Sequence, residues 1–80
     1  MKQIVLVIGG DGGIGSAVVD AFIARGDTVY ATYYQEKNFP QKKTGLEYFH
    51  CDLVNDEEVR MVVEKIVQKE GRLDTVINTA

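Results

Sequence analysis

The chain has 80 residues, a single cysteine and a net charge of −3. That length allows one small domain, and the charge gives no electrostatic reason to expect nucleic acid or an anionic membrane as partner. A chain of this size buries only about 60% of the surface its unfolded form exposes, so its margin of stability is thin.

Cys51 has no second cysteine to pair with, which excludes an internal disulfide and suggests a reducing compartment. No apolar run approaches the roughly 20 residues of a membrane span. The short apolar run after Lys2 is cut off by glycines with no small-residue cleavage site behind it, so it reads as a first strand and not as a signal peptide. The expected location is cytoplasmic.

Residues 3–8 are apolar after Gln3, the pattern of a central parallel strand covered on both faces. Over 14–25, Ile14, Ala17, Val18, Ala21 and Phe22 recur at helical spacing, and Gly26 stands where a C-cap glycine belongs. Residues 28–33 are β-branched and aromatic and predict a second strand. Residues 34–45 form a polar connection with Asn38, Pro40 and Gly45 and no convincing amphipathic helix. Residues 46–51 predict a third strand.

Asn55 then offers a side-chain N-cap, with Glu58 three residues on as its capping-box partner. The helix over 56–69 would pack on Val59, Val62, Val63 and Ile66, with Gly71 ending it and residues 73–77 forming a fourth strand.

The order β-α-β-loop-β-α-β with right-handed crossovers gives an α/β fold: a parallel sheet of order 3-2-1-4, the N-terminal half of a doubly wound Rossmann arrangement. One helix covers each face. The direction of winding reverses between strands one and four, and ligands bind in the crevice at such a point.

Five of the eight glycines fall in the seven residues 9–15, behind the first strand and before the first helix. Three spacings overlap there. Gly10, Gly12 and Gly15 fit G-x-G-x-x-G; Gly9, Gly13 and Gly15 fit G-x-x-x-G-x-G; Gly9, Gly12 and Gly15 fit G-x-x-G-x-x-G. Each is weak alone, but the strand-turn-helix context is the one a nucleotide-phosphate cradle requires. Glycines allow the tight turn and let a diphosphate approach the backbone, and the helix presents free N–H groups and its positive dipole end. A P-loop is set aside because Ser16 stands where its phosphate-binding lysine would be.

His50 and Cys51 are neighbours on a strand and point to opposite faces, and one of each is too few for a zinc site. A structural role is expected for both.

Four segments in order resemble the N-terminal part of the short-chain dehydrogenase/reductase family. VIGGDGGIG is similar to T-G-x-x-x-G-x-G, with Ile8 in place of the threonine. HCDLVNDEEV carries Asp52-Leu53, similar to the family's Asp-Leu/Val pair after strand three. GRLDTVIN follows, and Asn78-Thr79-Ala80 resembles the start of Asn-Asn-Ala-Gly. The ending and the Gly9/Gly13/Gly15 spacing favour the single-domain branch of the family.

The resemblance implies roles. Gly9, Gly13, Ile14 and Gly15 would line the adenosine ribose and diphosphate, Gly12 fills the cofactor slot before Gly13 that is sometimes basic in the family, and Asp11 would touch that ribose. Asp52 would accept a hydrogen bond from the adenine amino group, with Leu53 beside the ring; a plain strand-end carboxylate is the competing reading of Asp52. Asn78 would tie strand four to its neighbours, with Thr79 and Ala80 near the cofactor ribose. Tyr33 stands where NAD-using members carry an acid, and Tyr34 where NADP-using members often carry arginine. The missing acid leans to NADP, Asp11 leans to NAD, and Lys37, Lys42 or Lys43 could supply charge from the loop. The cofactor expectation is therefore NAD or NADP.

Two departures from the family stand out. The connection between strands two and three lacks the family's helix, which would leave one sheet face poorly covered. The catalytic serine and Tyr-x-x-x-Lys pair lie beyond the Asn-Asn-Ala-Gly point in the family; here only Tyr33 and Lys37 have that spacing, at a strand end and by chance.

Residues 1–80 are thus expected to be an incomplete NAD(P)-binding segment of an oxidoreductase that moves hydride between nicotinamide and a carbonyl or alcohol, inactive alone and prone to self-association through an unprotected fourth strand. A non-catalytic nucleotide-binding module and an excised or designed half-domain are the alternatives.

Overall fold

A computed structural model of the chain describes residues 2–9, 13–33, 45–51 and 56–79. The elements are β1 (Ile4–Ile8), α1 (Gly13–Ala24), β2 (Thr28–Tyr33), β3 (Leu46–His50), α2 (Asp56–Glu70) and β4 (Thr75–Asn78). The four strands form one parallel sheet of order β3-β2-β1-β4, as the crossover argument predicts.

β1 is the centre of the molecule, and all five of its residues are buried. Alternation splits them between two cores. Ile4, Leu6 and Ile8 join Tyr30, Cys51, Val62 and Ile66 under α2, with Val59 and Val63 at the margin. Val5 and Val7 join Val19, Val29, Ala31 and Leu46 under α1. Each fully buried aliphatic side chain contributes roughly 1.5–3 kcal/mol, so a continuous apolar strand between two helical layers is the arrangement that uses both of its faces. His50 and Cys51 fall on opposite faces: Cys51 is a buried free thiol in the core under α2, and the exposed His50 lies on the α1 side.

The α2 face is the expected one. The α1 face is not. Gly15 and Val19 are buried, and Val18, Phe22 and Ile23 pack at the margin, while Ile14 is 74% exposed and Ala17 and Ala21 face outward. The packed stripe is therefore turned by about one residue from the expected one. Apolar residues surround most of this helix, so periodicity alone does not choose a side; the buried side is the one that carries Gly15 and Val19.

At its C-terminus α1 ends as its glycine predicts. Gly26 has φ 87°, its N–H donates to Ile23 O at 2.9 Å, and the Asp27 N–H donates to Phe22 O at 3.1 Å. This is the Schellman pair of bonds, which satisfies two of the helix's last carbonyls.

Three strand limits differ slightly from expectation. β1 begins at Ile4, β3 ends at His50, and β4 spans Thr75–Asn78 instead of starting at residue 73. The late start of β4 has a physical cause. The Asp74 carboxylate accepts the Ile4 N–H at 2.8 Å, taking the place of a ladder carbonyl. The Asn55 cap and the connection over 34–44 lie outside the described residues.

Candidate functional site

Because all four strands are parallel, their carboxyl ends lie together. Gly9, the start of α1, Thr32 and Tyr33, His50, and Asn78 with Thr79 all fall at this end of the sheet.

Gly9 turns the chain out of β1 with φ 85°, a conformation that L side chains rarely adopt. Its peptide groups are held from both flanking strands. The Gly9 N–H donates to Thr32 Oγ1 at 2.9 Å. The Thr79 hydroxyl lies 2.8 Å from Ile8 O and 3.1 Å from Gly9 O, and the Thr79 N–H donates to Ile8 O at 2.9 Å. The bend is thus fixed by hydrogen bonds, and the Gly9 amide is already used within the chain.

The donors left for a ligand are those of the first turn of α1, since the first four N–H groups of a helix have no intrahelical partner. Gly13, Ile14 and Gly15 belong to this turn. The turn holds no acidic residue, whereas α2 begins with Asp56, Glu57 and Glu58. Carboxylates in its own first turn offset the positive end of α2, and the first turn of α1 carries none.

Gly13 gives the clearest test of fit. Its φ is not positive, and among the described residues a Cβ built on it meets no atom within 4 Å outside its chain neighbours and its own helix backbone. Neither backbone strain nor packing therefore requires glycine there, and glycine is among the poorest helix formers. The missing Cβ leaves the first-turn backbone uncovered by any described side chain at this position, which suits a diphosphate that must approach the main chain.

Tyr33 is half-buried, with the Tyr48 ring centroid at 6.3 Å and that of His50 at 5.5 Å, both edge-on. Asn78 is exposed and pairs with Ile8 in the ladder. Of the remaining sequence-derived site residues, Asp11, Gly12, Tyr34, Asp52, Leu53 and Ala80 lie outside the described residues. Sequence reasoning missed Thr32, a buried hydroxyl in the inner part of β2, and that polar position among buried residues was the available signal. It placed Thr79 at the site but did not foresee its bonds to the bend.

Among the described residues, the charged side chains that tie down strand starts gather elsewhere. At the opposite end of the sheet, Arg72 Nε donates to Asp74 Oδ2 at 3.0 Å and Arg72 Nη2 donates to Lys2 O at 2.7 Å. Asp27 Oδ1 accepts the Gln3 N–H at 2.9 Å, and its other oxygen lies 3.5 Å from Arg25 Nε. The Ile4 N–H holds the Asp74 carboxyl below its ordinary pKa against the opposing effect of burial, with Arg72 assisting. These groups fasten strand starts and face away from the glycine bend.

The family model for short chain dehydrogenase matches residues 3–80. L-fucose dehydrogenase of Bos taurus is 32% identical over 81 residues, which cover 98% of this chain and 30% of that protein. An apo SCOR enzyme from Clostridium thermocellum is 32% identical with a TM-score of 0.88, over 100% of this chain and 34% of that one. ElxO with NADP bound is 31% identical with a TM-score of 0.86, over 100% of this chain and 35% of that one. The chain thus spans about a third of the length of these relatives. On the family match and the sheet that carries the glycine bend, the chain belongs to the short-chain dehydrogenase family.

Proposed function

We propose that residues 1–80 form the dinucleotide-binding segment of an oxidoreductase that moves hydride between a nicotinamide and a carbonyl or alcohol. The observation that carries this reading is Gly13, a glycine in the first turn of α1 that neither a positive φ nor packing among the described residues requires. The NADP in ElxO, a relative matched along this whole chain, supports it.

The main-chain N–H groups of Gly13, Ile14 and Gly15 bind the diphosphate. Gly9 supplies the bend, with Gly12 beside it, and Asp11 meets the adenosine ribose. Asp52 and Leu53 hold the adenine. Tyr33 and Tyr34 flank the ribose 2′ position; Asn78, Thr79 and Ala80 border the ribose from the β4 side. The bound nicotinamide supplies the hydride chemistry, and this segment supplies orientation and charge complementarity.

Titration of the full-length protein with NAD and NADP by calorimetry tests the reading and identifies the preferred dinucleotide. Binding of either supports it; binding of neither overturns it. Residues 1–80 alone should not oxidise NAD(P)H with any of a panel of carbonyl substrates, since the family's catalytic serine and Tyr-x-x-x-Lys have no counterpart in them. Turnover by the 80-residue chain would contradict that assignment.

A further inference from the structure

We infer that Thr32 is a positioning residue for the dinucleotide, setting the glycine bend through a hydroxyl on the neighbouring strand. The inference rests on the cofactor reading above and goes beyond it to a residue no glycine motif includes. The parallel ladder pairs Val7 with Ala31, so Thr32 stands one step further on, level with the last residue of β1. At that level a side chain takes over from the backbone: Thr32 Oγ1 accepts the Gly9 N–H at 2.9 Å. Thr32 is 2% exposed, so water is poorly placed to replace the bond.

Two consequences follow. Gly9 contributes shape and no donor to the diphosphate, because its amide is already engaged. The bend is also tied to the end of β2, where Tyr33 follows directly and packs against His50 at 5.5 Å between ring centroids. One hydrogen bond thereby sets the diphosphate turn relative to the strand end that borders the ribose. Substituting valine keeps the branched shape and takes away the Gly9 N–H's acceptor on the buried Thr32 side. Serine keeps the hydroxyl.

The experiment compares wild type, Thr32→Val and Thr32→Ser in the full-length protein. Affinities for NAD or NADP and for adenosine, which has no diphosphate, are measured by calorimetry and NMR titration. The expected result for T32V is a loss of about tenfold or more in dinucleotide affinity, a loss below about twofold for adenosine, and return to near wild-type affinity in T32S. Equal losses for both ligands, an unaffected T32V, or a T32S as weak as T32V would overturn the inference while wild-type binding leaves the cofactor reading standing. Failure of the wild type to bind either dinucleotide overturns both. Should T32V not fold, exchange of the Gly9 amide in ligand-free wild type decides: slow exchange supports the bond, and exchange at the rate of an open amide refutes it.

Discussion

Asp74 and Ile4 are joined in both directions. The Asp74 carboxylate accepts the Ile4 N–H at 2.8 Å, and the Asp74 N–H donates to Ile4 O at 2.9 Å. A residue just before β4 thus fastens the start of the central strand, and Arg72 Nε donates to the same carboxylate oxygen at 3.0 Å.

This pairing sets an acid limit on stability. The Ile4 amide, with Arg72, favours the charged form, so the Asp74 carboxyl titrates below its ordinary value in the folded chain. A depressed folded pKa gives stability that is fully present above the unfolded value of about 3.9 and is lost as pH falls through the folded one. Thermal melts from about pH 6 down to about pH 2 should show this loss. Asp74→Asn should lower the melting temperature near neutrality and flatten the acid limb; an acid limb as steep in the variant as in wild type would contradict the role.

Tyr30 sets the corresponding alkaline limit. Its buried hydroxyl donates to Glu70, its ring stacks on Phe49 with centroids 5.8 Å apart, and Lys69 Nζ sits 5.9 Å from its ring centre. Burial is the main cause that raises its pKa above the ordinary value, followed by the Glu70 hydrogen bond and the charges of Glu70 and Glu47. A raised folded pKa gives stability present below the unfolded value of about 10 and lost as pH rises above it. Tyr30→Phe should flatten the stability profile above about pH 10. An unchanged alkaline limb would show that Glu70 does not hold that proton.

The isolated 80-residue chain should self-associate through β4. This strand is an edge of the described sheet, and Val76 on it is 51% exposed. Unpaired edges recruit further strands. Sedimentation velocity over a range of concentrations should reveal dimers or larger species, and Val76→Lys should shift the distribution towards monomer. A monodisperse wild-type monomer at every concentration would refute the prediction.

Much of this architecture is legible along the chain because its signals are local. The unbroken apolar run of β1, the 3.6-residue spacing of α2 and the glycine after α1 each lie within a few residues, and crossover handedness then fixes the strand order. The face of α1 was not legible: Ile14 and Ile23 are alike in hydrophobicity, yet Ile14 is 74% exposed and Ile23 packs on the sheet. The ties at the glycine bend were not legible either, since Thr32 and Thr79 reach Gly9 across 23 and 70 residues of sequence. Only the register of three strands brings those hydroxyls to one peptide.

The most direct measurement is the paired effect of Gly13→Ala on folding and on dinucleotide affinity. With φ not positive and, among the described residues, no atom within 4 Å of an added Cβ outside the chain neighbours and its own helix backbone, alanine should leave stability unchanged or raise it, by up to about 1 kcal/mol. The same methyl stands where the diphosphate would come against the backbone, so affinity for NAD or NADP should fall by roughly tenfold or more. A stable variant with weakened binding is the predicted result. A stable variant that binds NAD and NADP as wild type does would contradict the placement of the diphosphate over the first turn of α1.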